Sequence, residues 1–325
     1  MKTLQQLKKE QMMDPEFAKE YEAIQPEMDV IRAYGGINMY QLFDFEKRNC
    51  IVQGYHFPCE NPNHVVCLIH GIGEHAGRFS RVAEYFNKAG IAVVSMDLRG
   101  HGRSQGVRGA CAPRKEVLKD IDALIEYAQE FYPGVPIVMY GHSMGGNITL
   151  DYRARGGHND VPVGYIISAP WIRLVRPVSG GLLTAVRLLT KIAPNFKIKS
   201  EFPEVKLGNV EYVRPYKKDP MVHPYATALC AYEGFTIGTA LEKGTNEDNG
   251  RARKTPCLLM HGTKDLICDI QGSREFAKLQ DPESFTMVEW PGYYHEIHNG
   301  GPNGETGEAV IQRAIEFIEG LPARS

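Results

Sequence analysis

From residue 39 onward the chain alternates short apolar runs with longer amphipathic stretches. Runs at 39–45, 50–56 and 65–69 read as strands. The third, V-V-C-L-I, is too continuous for a strand with one wet face and predicts one buried on both. The rhythm then settles into strand and helix by turns, with a helix at 78–88, a strand at 91–96 and a helix at 116–131 whose Val117, Ile121, Leu124, Ile125 and Ala128 share one face. A strand at 137–140, a helix at 144–153 and a strand at 163–168 complete this half. Strands separated by helices of this length predict an α/β fold with a mostly parallel, doubly wound sheet.

The rhythm stops between about 171 and 253. Helical apolar pieces at 182–192 and 225–241 stand there among irregular stretches, and 246–253 is polar and predicted to be exposed. A span this long without its own structure is uncommon, so it predicts a helical cap inserted between two sheet strands. The βα pattern resumes with a strand at 257–260, a helix at 272–279, a strand at 285–290 and a last helix at 308–318. The expected organisation is a helical arm over 1–35, a core over 36–170 and 254–325, and a cap over 171–253. In the arm, Asp14-Pro15 supplies a cap residue and a first helical position, which predicts two or three short helices.

Composition narrows the function. The 325 residues carry 37 Lys and Arg against 39 Asp and Glu, a formal charge of -2, which leaves no field to hold a nucleic acid. The chain has no apolar run of spanning length, and its first residues lack a signal-like apolar stretch, so a cytoplasmic protein is expected. Seven scattered cysteines without a C-x-x-C pair suggest neither a disulfide framework nor a zinc site, and reduced, mostly buried thiols are expected.

The chemistry concentrates where strands end. Gly141-His142-Ser143-Met144-Gly145 follows the strand at 137–140 and precedes a helix, the setting in which a nucleophile on a sharp turn needs glycine on both sides. A serine hydroxyl needs a base and a group to orient that base. Asp265, in H-G-T-K-D after the strand at 257–260, and His295, in P-G-Y-Y-H after the strand at 285–290, occupy strand ends at the same edge of such a sheet. Asp265 is preferred to Asp269, which lies farther from its strand. His295 is preferred to His298, for which local hydrogen bonding is expected. H-E-x-H at 295–298 lacks the H-E-x-x-H spacing of zinc proteases, so no metal is expected. A second glycine loop, His70-Gly71-Ile72-Gly73-Glu74-His75, brings the Ile72 amide to act with that of Met144 as a two-donor oxyanion hole. His70 and His75 read equally well as ordinary loop histidines. Gly71, His142 and Trp171 are expected against the substrate. Asp97 and Arg99, in the turn-rich stretch after residue 96, are candidates for a structural ion pair.

H-G-I-G-E-H, D-L-R-G-H-G-R-S, G-H-S-M-G-G, H-G-T-K-D and G-Y-Y-H-E-I-H-N, in this order from about Tyr40 to Gly320, resemble the monoacylglycerol lipase and lysophospholipase branch of the α/β-hydrolases, a serine aminopeptidase S33-like family. The resemblance implies a serine ester hydrolase that cleaves a small-molecule acyl ester of lipid type through an acyl-enzyme, without a cofactor, under a helical cap over an acyl pocket. It implies Ser143, Asp265 and His295 as triad and the amides of Ile72 and Met144 as oxyanion hole, the same five reached from the residues. Leu182, Leu183, Val186, Leu188, Leu189 and Ile192 could line that pocket or make transient contact with a membrane surface. Esterase, amidase or peptidase activity on small acyl substrates, or an inert hydrolase frame that only binds, are the alternatives. The leader over 1–33, with D-P-E-F-A-K-E-Y-E-A-I-Q-P-E at 14–27, departs from that branch and resembles the helical leader of some bacterial helix-turn-helix antitoxins. No recognition-helix pattern follows, and the arm is read as a site of packing or homo-oligomer contacts.

Overall fold

A computed structural model describes residues 40–45, 50–176, 178–199, 204–213 and 218–322. The helices and contacts expected of the arm over 1–35 lie outside the described residues. The main sheet contains β1 (Gln41–Asp44), β2 (Gln53–Phe57), β3 (His64–Ile69), β4 (Ile91–Met96), β5 (Ile137–His142), β6 (Gly164–Ser168), β9 (Cys257–Gly262) and β10 (Phe285–Trp290). Their spatial order is β1-β2-β4-β3-β5-β6-β9-β10. β1 and β2 pair antiparallel at one edge, and every pairing from β4 to β10 is parallel.

The continuous apolar runs resolve into two faces. Val65, Cys67 and Ile69 of β3 point to the layer of α2 (Arg114–Phe131) and α3 (Met144–Arg155), while Val66 and Leu68 point to the layer of α1 (Ser80–Lys88) and α7 (Glu308–Glu319). β4, β5, β6 and β9 alternate in the same way, because successive strand side chains leave opposite faces and both faces here are covered. Five of the seven cysteines are buried and all seven are free thiols.

Between β6 and β9 the chain forms α4 (Gly180–Ile192), β7 (Lys197–Lys199), β8 (Tyr225–Thr227) and α5 (Ala228–Lys243). The periodicity predicts helix from residue 225, but 225–227 pair with β7 as a two-stranded ribbon and the helix starts at Ala228. Thr227 sets that boundary, since its side chain accepts the Cys230 amide as an N-cap. Of the stretch 246–253, residues 247–251 and 253 are exposed, as its polarity predicts, but Ala252 is buried and joins the core. The last α/β unit uses α6 (Ile270–Lys278), and Asp269 caps it by accepting from the Gln271 amide at 2.9 Å. Among the described residues no helix is long and apolar enough to cross a membrane.

The pair expected between Asp97 and Arg99 does not form. Arg99 reaches Asp120 on α2 through Nε at 2.5 Å and Nη2 at 2.9 Å. Asp97 instead accepts from the Ala76 amide at 2.8 Å, the Arg103 amide at 2.7 Å and the Tyr55 hydroxyl at 3.0 Å. A buried carboxylate is satisfied here by neutral donors that tie two loops to the sheet edge.

Candidate active site

The sheet register sets the site. Ile69 lies beside Gly141, His142 beside Ser168, and Ser168 beside Met260, so the loops after β3, β5, β6 and β9 leave from one carboxyl edge. Ser143 follows β5 directly, and its amide continues the ladder by donating to Ser168 O at 2.9 Å. Its backbone then turns to φ 56° and ψ -117°, a conformation that side chains rarely adopt. Glycine is needed around it for steric reasons. A Cβ on Gly145 would run into the carbonyls of Ile69 and His70, one on Gly141 into Thr149 and the Gly145 carbonyl, and one on Gly146 into Pro170.

At this edge the structure brings Ser143, Asp265 and His295 together. His295 Nε2 lies 2.8 Å from Ser143 Oγ, and His295 Nδ1 lies 2.7 Å from Asp265 Oδ2. Asp265 Oδ1 accepts from the amides of Ile267 at 2.8 Å and Cys268 at 3.0 Å. Its Oδ2 also faces His261 Nε2 at 3.1 Å. That nitrogen carries the hydrogen, because it also donates to the Cys268 carbonyl, while Nδ1 accepts from the Ser273 hydroxyl at 2.8 Å. With Nδ1–H donated to the carboxylate, His295 presents a lone pair to the Ser143 hydroxyl.

The charges follow from these contacts. Burial would raise Asp265, but His295 and His261 outweigh it and hold the carboxyl well below the usual carboxylate range. Burial would lower His295. The charge and hydrogen bond of Asp265, joined by Glu296 and Glu74, outweigh it and raise the imidazole above its ordinary value. The group favours a charge on His295 balanced by one on Asp265.

The Met144 amide opens α3, where the first turn leaves N–H groups without an intrahelical partner and the helix dipole favours negative charge. Ile72 is half-buried in the loop after β3. Gly71 lies against Ser143, since a Cβ there would stand 3.0 Å from Ser143 Cβ, and its amide donates to Glu74 Oε1 at 2.6 Å. Glu74 is buried, meets Arg78 at 3.3 Å, and is pushed up to about 7 by burial and Glu296 against the pull of Arg78. Trp171 donates its amide to Ser143 O at 2.9 Å, and its ring is buried against Phe235. His142 is 1% exposed and enclosed by Phe79, His295 and His298, at ring distances of 6.0, 5.0 and 4.9 Å. That enclosure, with burial and the two histidines pulling its pKa well down, makes it a neutral packing partner of His295. His298 stacks on Phe79 at 4.9 Å, its Nδ1 has no hydrogen-bond partner, and its carbonyl accepts from Arg81 at 3.0 Å.

Three contributors escape the motif reading. His261 stands four residues before Asp265 within H-G-T-K-D, Glu74 anchors Gly71, and Asn147 donates to the Trp171 carbonyl at 2.7 Å. The first two lie inside motifs already singled out. Asn147 carries no local signal, since its partner comes from the segment after β6.

A mostly parallel eight-stranded sheet with a serine on a strained strand-to-helix turn, and a histidine and an aspartate on the loops of later strands, defines an α/β-hydrolase. Over residues 60–301 the chain matches the family described as serine aminopeptidase, S33. It is 34% identical over 245 residues to the monoacylglycerol lipase of Mycolicibacterium smegmatis, covering 74% of this chain and 84% of that one. The crystal structure of Paleococcus ferrophilus monoacylglycerol lipase superposes with a TM-score of 0.71 at 28% identity, over 83% of this chain and 98% of that one. A soluble variant of monoglyceride lipase from Saccharomyces cerevisiae, solved with a substrate analog, has a TM-score of 0.77 at 24% identity, over 88% and 96% of the two chains, and shares the fold. The chain belongs to the serine aminopeptidase S33 family of α/β-hydrolases, in its monoacylglycerol lipase branch, and is a carboxylic ester hydrolase.

Proposed function

We propose that this enzyme cleaves lipid-type carboxylic esters, monoacylglycerols or lysophospholipids, through an acyl-enzyme on Ser143. The unbroken line of short hydrogen bonds from Asp265 through His295 to Ser143 carries the proposal. His295 takes the proton of Ser143 as the hydroxyl attacks the ester carbonyl, and Asp265 holds the ring in the Nδ1–H tautomer and stabilises its charged form. The amides of Ile72 and Met144 receive the oxyanion, each donor contributing about 3 kcal/mol to the barrier reduction. His295 then protonates the leaving alcohol, and water, deprotonated by the same ring, releases the acid. Gly71 and Trp171 stand beside the acyl carbon.

Residues 171–253 act as the cap, and a lipid substrate fits its surface. On α4, Leu182, Leu188 and Ile192 are 54, 57 and 86% exposed, an apolar stripe suited to an acyl chain or to brief contact with a membrane face. The enzyme works from the cytoplasm. Residues 1–35 serve as an accessory arm for contacts between copies, tested by comparing assembly and turnover of the full chain with one starting at Tyr34. The family's aminopeptidase description supports a second reading, cleavage of small amides or esters.

A serine-directed fluorophosphonate probe tests the nucleophile: labelling is expected in the native protein and absent in Ser143→Ala. Labelling that persists in the variant, or none in either, overturns the proposal. A series of p-nitrophenyl esters from acetyl to palmitoyl, followed by monoacylglycerol, lysophospholipid and aminoacyl-anilide substrates, tests the class. Preference for acetyl esters or anilides would replace the lipid reading with the second one.

A further inference from the structure

We propose that the carboxyl-edge cluster is also an inhibitory site for one soft divalent cation, Zn2+ or Cd2+, bound by the Cys268 thiolate, an imidazole nitrogen of His295 and a carboxylate oxygen of Asp265. The hydrolytic relay does not use the Cys268 thiol, yet it sits inside the site. One ligand atom from each of Asp265, Cys268 and His295 lies within 4.8 Å of the others, and all three residues are buried.

The loop holds this thiol in place. The Cys268 amide donates to Asp265 Oδ1, its carbonyl faces His261 Nε2, and Cys268 forms a bridge with Leu174 from the segment after β6. The backbone of Cys268 is therefore held on both sides of its Cα.

Sulfur, imidazole nitrogen and carboxylate oxygen together are a zinc-type donor set, with bonds of about 2.0–2.3 Å and donors about 3.5 Å apart in a tetrahedron. Atoms lying within 4.8 Å of one another therefore need to close by about 1.3 Å at most, while His295 Nδ1 and Asp265 Oδ2, now 2.7 Å apart, would open by about 0.8 Å if Nδ1 is the ligand. The fourth position would face water or the Ser143 hydroxyl. The balance is simple: the Cys268 S–H bond breaks, a sulfur–metal bond forms, and the proton leaves to solvent. A nitrogen of His295 bound to the ion no longer serves the relay. If it is Nε2, the lone pair for Ser143 is gone, and if it is Nδ1, the bond to Asp265 is gone. Either way hydrolysis stops while the fold persists.

The test uses the full chain after treatment with a chelator. Cd2+ binding is measured by equilibrium dialysis and by cadmium–thiolate ultraviolet absorption in Ser143→Ala and in Ser143→Ala/Cys268→Ala. The first is expected to bind one ion more per chain and to show the stronger band. This arm needs no turnover, so it stands or falls apart from the esterase reading. In the second arm, ester hydrolysis is titrated with Cd2+ and Zn2+, each variant normalised to its own metal-free rate. Loss of a group that only orients a metal ligand costs about 10–100-fold in affinity. Loss of the thiolate itself in Cys268→Ala is therefore expected to raise the half-inhibiting concentration by about 100-fold, with native activity restored by chelator. Cys268→Ser repeats both arms with little change in volume should the alanine variant be unstable. Equal inhibition of native enzyme and variants, or equal ion binding by the two Ser143 forms, overturns the proposal.

Discussion

Replacing Asp265 by asparagine separates the charge of this side chain from its shape. In the structure Oδ1 accepts two backbone amides, from Ile267 and Cys268, and Oδ2 faces His295 Nδ1 and His261 Nε2. Asparagine has one acceptor oxygen. The two backbone donors are fixed by the loop, so the oxygen stays with them and the NH2 turns toward the histidines. His295 must then accept at Nδ1, and its hydrogen moves to Nε2, where it points at the Ser143 hydroxyl. The nitrogen that should take a proton already carries one. A wrong tautomer of this kind costs about 10⁴-fold in kcat, about 5.5 kcal/mol, with the contacts that bind substrate retained. The pH profile gives a second reading. Asp265 is among the groups that raise His295 against the pull of burial, so without its charge the imidazole falls and the acid limb of the residual activity moves to lower pH. Steady-state hydrolysis of a p-nitrophenyl ester across the pH range measures both effects. A variant within about tenfold of the native kcat, about 1.4 kcal/mol, with an unmoved acid limb would refute the argument that Asp265 sets the tautomer.

In the native enzyme the neutral fraction of His295 grows as pH rises through its raised value, so kcat/KM is expected to climb to a plateau with a midpoint above the ordinary histidine value of about 6.5; a midpoint below it would contradict the assigned pair. The linked stability term has the opposite sense: the raised His295 contributes stability that is full below about 6.5 and lost as pH rises through the folded value, which is read by urea melts at fixed pH after subtracting the same series on His295→Gln. Gly145→Ala drives a methyl into the carbonyls of Ile69 and His70, and equilibrium urea unfolding is expected to show a loss of about 1–3 kcal/mol. Arg114→Met removes the guanidinium that holds Asp151 at 3.1 Å and Asn147 at 2.7 Å; because Arg155 still pairs with Asp151, the loss is expected at the low end of buried-pair breakage, about 3 kcal/mol by the same method.

The parts of this molecule that were legible in its sequence are those whose cause is local. V-V-C-L-I reads as a buried strand because both of its faces are covered, and Val65 and Val66 do part to opposite layers. The glycines around Ser143 read as a turn because no side chain fits at 141, 145 or 146. Asp265 and His295 can be placed at one edge from sequence because each follows a strand within a few residues, and parallel register delivers such positions there. What was missed depends on partners far along the chain. Tyr225 to Thr227 have a composition compatible with the helix that follows, and only pairing with Lys197 to Lys199 makes them a strand. Arg99 has Asp97 two residues away, but Asp120, nearly two turns into α2, is the carboxylate in reach. The rings that enclose His142, Phe79 and His298, likewise come from segments far apart in the chain.

The same distinction explains why the segment between β6 and β9 matters to the chemistry and not only to substrate choice. The sheet edge fixes Ser143 through its own ladder, and the glycine loop after β3 is tied to the segment after β4 by the Ala76 amide on Asp97 and the Leu98 amide on His70 Nε2. The insertion holds it from the other side. The His223 amide donates to the Gly73 carbonyl at 2.9 Å, and Asp219 meets His75 at 3.0 Å. Trp171, at the start of the segment, ties its amide to the Ser143 carbonyl, and Asn147 closes that link from α3. Bonds of this kind hold the loop after β3 against the start of α3, where the proposed mechanism needs its two amide donors, and an error of 1 Å in a catalytic geometry costs about 10²-fold in rate. Substitutions that loosen this segment therefore belong with those that lower kcat, even where the altered residue touches no part of the ester.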